Sequence, residues 1–125
     1  MRIALILLIL LVCSVFFVAI PFHWDKLIPG WDTPYHLASG ICLGIIVASY
    51  YRSEFGSLPQ PLRFFCVLGI VMAVGVLWEF HEYALGRMIP VSLQGDLDDT
   101  MKDLLMDTLG GVAGGILNFF RRGNA

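Results

Sequence analysis

The stretch Gln94–Gly115, QGDLDDTMKDLLMDTLGGVAGG, decides how this chain folds. Asp99, Asp103 and Asp107 stand one helical turn apart and run directly into Gly110, Gly111, Gly114 and Gly115. Apolar residues then follow as far as Phe120. Acids on a helix that enters a membrane are costly unless neighbouring helices shield them. The stretch therefore predicts a membrane helix over residues 97–120 whose acidic face meets partners elsewhere in the chain.

Composition supports a membrane setting. Hydrophobic residues make up 58% of the chain and charged residues only 14%, a balance outside the range of ordinary soluble domains. The 125 residues allow one integral membrane domain, residues 1–125, nearly filled by four spans. A net charge of −2 and the lack of a basic patch argue against nucleic acid as a partner. Cys13, Cys42 and Cys66 each lie inside apolar runs, and their odd number and spacing fit neither a disulfide framework nor a zinc site.

Residues 3–20 form an unbroken apolar run behind Arg2, about 27 Å long as a helix. A signal peptide has the same outline, but Val18-Ala19-Ile20-Pro21 offers no small-residue cleavage site, so the run reads as a retained span. The connector Pro21–Thr33 carries Trp24 and Trp31, residues suited to the headgroup level. The second span, 34–51, opens with Asp32 or Thr33 as its N-cap and Pro34 in its first turn. The third, 62–86, holds no charge from Phe64 to Trp78 and then takes in Glu79, His81 and Glu82. Arg87–Gly95 is a turn in which Pro90 stops the helix. The expected fold is an all-α, four-span helical bundle with short connections.

Four crossings put Arg2, Arg52, Arg63, Arg121 and Arg122 on one side, and Lys26, Arg87 and Lys102 on the other. The basic excess assigns both termini to the cytoplasm. Of the ten acids, only Glu54 then falls on the cytoplasmic side. The polar end faces outward, and with it His36.

Helical spacing places the polar groups on faces that can meet. His36, Gly40 and Gly44 form one stripe, Gly75, Glu79 and Glu82 a second, and Asp99, Asp103, Asp107, Gly110, Gly111 and Gly114 a third. In each, ionisable residues lie at the outer end and small residues lie deeper. Gly-x-x-x-Gly spacing lets helices approach closely. Buried carboxylates repel one another, so His36, Glu79, Glu82, Asp99, Asp103 and Asp107 are candidate ligands for a divalent cation. Oxygen ligands suit Mg, Mn or Ca, and a histidine among them admits Mn or Zn. Glu79 and Asp103 are the candidate acid–base residues if such a cation activates water against a lipid phosphate or headgroup. Asp25 and Asp98 read as solvated, Asp32 as a cap, and one of Asp96, Asp98 and Asp99 as the cap of the last helix. In the alternative reading, Lys102 and Arg87 neutralise the acids in a structural or proton-conducting network. A third is an accessory subunit whose glycine faces dock on a partner.

Glu79-x-x-Glu82, followed by Gln94-Gly95-Asp96-x-x-Asp99-x-x-x-Asp103-Leu104 and a glycine-rich helix, resembles the YjdF-like family of small bacterial inner-membrane proteins. It also looks like the wider VanZ-like group. Members of that group resemble this chain in an Asp and a His opening an early span, here Asp32 and His36. They also share an Asp-x-x-x-Asn/Asp-x-x-Gly-x-x-x-Gly helix, here Asp103, Asp107, Gly110 and Gly114. The likeness covers about Asp32 to Gly115; Glu82 and Asp107 depart from it, standing where glutamine and asparagine are usual. It implies a bacterial inner-membrane location and a cell-envelope role, and brings no settled activity.

Overall fold

Each long apolar run forms a helix in the computed structural model, which describes residues 1–88 and 95–120, with side chains to Asn118. Helix α1 spans Arg2–Ser14 and continues through a π-helical turn, Val15–Ala19, where Ile20 N–H donates to the Val15 carbonyl at 3.0 Å. A one-turn helix, α2, covers Trp24–Leu27. Then come α3 (Thr33–Tyr50), a 3₁₀ turn at Phe55–Ser57, α4 (Gln60–Met88) and α5 (Leu97–Phe120). The described residues contain no strand. The turn expected at 87–95 lies largely outside the described residues, as do Arg121 and Arg122.

The contacts between helices define their directions. Along the α3–α5 seam, His36 meets Asp107, Gly40 meets Gly110, Gly44 meets Gly114, and Ser49 meets Asn118. Both numbers rise together, so α3 and α5 are parallel. Helix α4 runs against both: His36 faces Glu79 at one end while Val47 packs on Val67 at the other, and Gly75 faces Asp107 while Phe64 and Val67 lie against Gly115. Helix α1 opposes α3, with Ser14 bonded to Tyr35 and Val15 and Ala19 packed on Trp31. The four long helices therefore run up-down-up-down.

Glycine makes the α3–α5 seam possible. A Cβ at Gly40 would lie 2.7 Å from the Asp107 carbonyl oxygen and 3.1 Å from the Gly110 Cα, inside van der Waals contact. Gly110 and Gly114 present the same restriction towards Leu37, Gly40 and Ile41 of α3. Gly111 faces α4 instead, where a Cβ would lie 2.9 Å from Val71 Cγ1. The two adjacent glycine pairs thus serve different neighbours.

Large apolar side chains face outward, and a cluster of acids with one histidine is buried. Ile3, Phe17, Phe65, Phe80 and Met101 are exposed, whereas Asp32, His36, Glu79, Glu82, Asp103 and Asp107 each expose no more than 4% of their surface. Soluble proteins show the reverse. Two stretches, 2–19 and 60–88, are each long and apolar enough to cross a membrane, with mean hydropathies of 2.9 and 2.0 over their best windows. Helices α3 and α5, also expected as spans, do not meet that standard. Helix α3 packs against the other three long helices, so other protein covers much of its surface. On α5 the apolar face (Met101, Leu105, Leu109) is backed by a face of acids.

The connector before α3 is more ordered than its composition suggests. His23 adopts a left-handed backbone, φ 53°, ahead of α2. Trp31 is buried against Val15 and Ala19, with Trp24 and Tyr35 edge-on to it at 6.5 and 5.7 Å. This tryptophan serves as packing rather than as a free headgroup anchor.

Candidate functional site

The first turns of α3 and α5 and the latter half of α4 bring their polar residues to one end of the bundle. His36 is central. Its Nδ1–H donates to Asp107 Oδ2 at 3.2 Å, while its Nε2 lies 4.0 Å from Glu79 Oε1. A histidine held by a carboxylate through one ring nitrogen presents the other to a ligand, the arrangement that orients metal-binding imidazoles. Gly75 of α4 makes room for this pair, because a Cβ there would collide with the Asp107 carboxylate.

Donor atoms of His36, Glu79 and Asp103 all lie within 4.8 Å of one another, and all three residues are buried. Asp103 is only 2% exposed, and its Oδ1 has no hydrogen-bond partner among the described residues. Burying a carboxylate oxygen without a partner is costly, so this atom is where a cation would be most stabilising.

A second group meets at the same aspartate. Donor atoms of Asp32, Asp99 and Asp103 also lie within 4.8 Å of one another. Asp32 was read from sequence as the cap of α3, but its side chain makes no capping bond. It is 4% exposed, and its Oδ1 is buried without a partner among the described residues. Burial holds this carboxyl, just ahead of α3, above the usual aspartate range, and nearby Asp99 adds to the effect. The cap of α5 is Asp96, whose Oδ1 accepts the Asp99 backbone N–H at 3.0 Å. Asp99 is ion-paired with Lys102.

The remaining candidates flank these groups. Glu82 accepts a hydrogen bond from Trp78 Nε1 at 2.8 Å, and Asp107 is bonded to His36. Arg87 contacts Tyr83, by a 3.2 Å hydrogen bond and from above its ring. Exposed His81 lies beside Phe16 and Trp78. The six proposed ligands thus sort into an inner trio (His36, Glu79, Asp103), one outer residue (Asp99) and two hydrogen-bonded neighbours (Glu82, Asp107). Sequence reasoning undervalued Asp32 and missed Trp78. Each stands one turn before a residue it did select, His36 and Glu82.

A cavity of about 160 Å³ adjoins the cluster. Leu11, Val15, Leu43 and Val74 form its apolar walls, and Asp32 and His36 contribute to its lining. An apolar slot ending on acids suits a molecule with an apolar part and a polar head.

An apolar exterior, buried acids and helices long enough to cross a bilayer define a helical membrane protein. Residues 1–124 match the family described as "Predicted membrane protein (DUF2238)", and the chain belongs to that family. A Thermotoga maritima protein described as uncharacterized is 31% identical over 98 residues, covering 71% of this chain. This chain spans 44% of the length of that relative. No solved structure matches.

Proposed function

We propose that this chain is a four-span inner-membrane protein that binds a divalent cation with His36, Glu79 and Asp103 and uses it to engage a lipid phosphate. The observation that carries the reading is Asp103, buried with an oxygen that has no partner among the described residues, its donor atom within 4.8 Å of those of His36 and Glu79. The adjoining cavity supports the lipid half, since its apolar walls suit a short alkyl segment beside the acids.

Packing supports four crossings. Helix α3 lies antiparallel along both helices that can cross unaided and α5 along one of them, and the exposed face of α5 is apolar. The distribution of Arg2, Arg52 and Arg63 supports cytoplasmic termini and an outward-facing acidic end. That orientation, and the likeness to YjdF-like and VanZ-like proteins, accord with a cell-envelope role. A cation held by His36, Glu79 and Asp103 would supply Lewis-acid activation of a water for attack on the phosphate ester. Glu79 or Asp103 would take the water's proton and return it to the leaving alcohol.

Elemental analysis of the detergent-purified chain, beside Asp103→Asn, tests the reading. Near-stoichiometric Mn, Zn, Mg or Ca, lost in a still-folded Asp103→Asn, is the expected result. A folded wild-type chain that takes up none of these after dialysis would refute it. That outcome would favour the second reading, a structural or proton-sharing network, for which the His36–Asp107 and Trp78–Glu82 bonds speak.

A further inference from the structure

We propose that the acidic end holds two divalent cations, with Asp103 as the carboxylate shared between them. The inference rests on the reading of His36, Glu79 and Asp103 as a cation site. It adds an outer site formed by Asp32, Asp99 and the same Asp103.

Three observations support the second site. Asp103 belongs to both groups whose donor atoms lie within 4.8 Å, and it is the only residue common to them. A carboxylate has two oxygens, and carboxylates bridge cations about 3.5–4 Å apart in two-metal centres. Secondly, Asp32 is buried to 4% exposure, yet its Oδ1 has no partner among the described residues and its side chain caps nothing. Capping of α5 falls to Asp96, which leaves Asp99 available as a ligand. Thirdly, the charge balance is uneven. Asp32, Asp99, Asp103 and Glu79 converge here, and the lysine that reaches them, Lys102, pairs with Asp99.

Lys102 sets the order of filling. Its side chain is 38% exposed, so the ammonium can swing into solvent when a cation takes its place on Asp99. The inner site holds the tighter cation, and the outer one fills against competition from this lysine. Two cations on one carboxylate could meet two oxygens of a single phosphate group, in keeping with the phosphate ester of that reading.

The test uses the full chain in lipid nanodiscs with Mn²⁺ as probe. Bound manganese is counted after equilibrium dialysis, and electron paramagnetic resonance reports whether the ions are magnetically coupled. We expect two coupled ions in the wild type, one uncoupled ion in Asp32→Asn, and two ions with a tightened outer site in Lys102→Met. Lys102→Met keeps every proposed ligand, and the coupling is read in the wild type, so the result does not depend on Asp32→Asn folding. Saturation at one ion in the wild type overturns the second site and leaves the first standing. Two uncoupled ions overturn the shared carboxylate, and no bound ion overturns the cation reading itself.

Discussion

Replacing Gly110 with alanine would place a methyl group against the Leu37 carbonyl oxygen and 2.9 Å from both the Gly40 Cα and the Ile41 nitrogen. Ordinary carbon contacts need about 3.5–4.0 Å, so the helices must part by roughly 0.6–1 Å along this seam. These neighbours are backbone atoms and cannot turn aside as a side chain would. Overpacking of this kind costs about 1–3 kcal/mol. The separation also reaches the site, because Asp107 lies one turn before Gly110 and His36 one turn before Gly40. Their bond, already 3.2 Å, would stretch beyond useful length. Gly110→Ala should therefore lower both the melting temperature and the cation affinity. Thermal unfolding in detergent followed by tryptophan fluorescence, with manganese binding on the same samples, measures the two effects. Gly115→Ala is the internal control, since its methyl would meet the Phe64 ring at an ordinary 3.6 Å. At Gly69 a Cβ meets nothing within 4 Å, and alanine there should be neutral or stabilising by about 0.5–1 kcal/mol. A Gly110→Ala chain as stable as wild type, or a Gly69→Ala chain equally damaged, would refute the seam as described.

Further outcomes follow from the same contacts. Trp78→Phe removes the donor to Glu82 Oε1 and should cost about 1–3 kcal/mol; adding Glu82→Gln should cost less than the sum of the single changes in a melting-based double-mutant cycle. Asn118→Leu deletes the 2.7 Å bond to Ser49 at the opposite end, so stability should fall by about 0.6 kcal/mol while manganese affinity stays unchanged. Stripping cations with a chelator should destabilise the wild type by about 2.7 kcal/mol relative to cation at a hundredfold excess over Kd. Asp103→Asn should show no such difference between chelated and cation-loaded samples.

Much of this architecture could be read from the residues, for identifiable reasons. Long apolar runs cannot avoid forming helices in a membrane, where backbone groups must bond internally. Gly40, Gly44, Gly110 and Gly114 recur at the spacing that brings one face of a helix against another, so these faces could be marked for close packing from the sequence. What spacing could not show is which neighbour each glycine serves, since Gly110 and Gly111 differ by about 100° around the helix and face α3 and α4 respectively. Asp32 illustrates another limit. Aspartate before a Thr-Pro helix start is ordinary capping chemistry, and only the fold reveals that its carboxyl turns towards Asp99 and Asp103. The π turn at Val15–Ala19, whose two ends pack on Trp31, and the left-handed His23 left no sequence signature.

The parallel α3–α5 seam also acts as a vernier. Sliding one helix along the other by a turn, about 5–6 Å, would set Gly44 against Asn118 and take Asp107 away from His36. The two chains of small residues therefore admit one seating, and intermediate positions would drive backbone into backbone. With Ser49 and Asn118 tied at the far end, a change at the acidic end would open the angle between these helices more readily than it would shift their register.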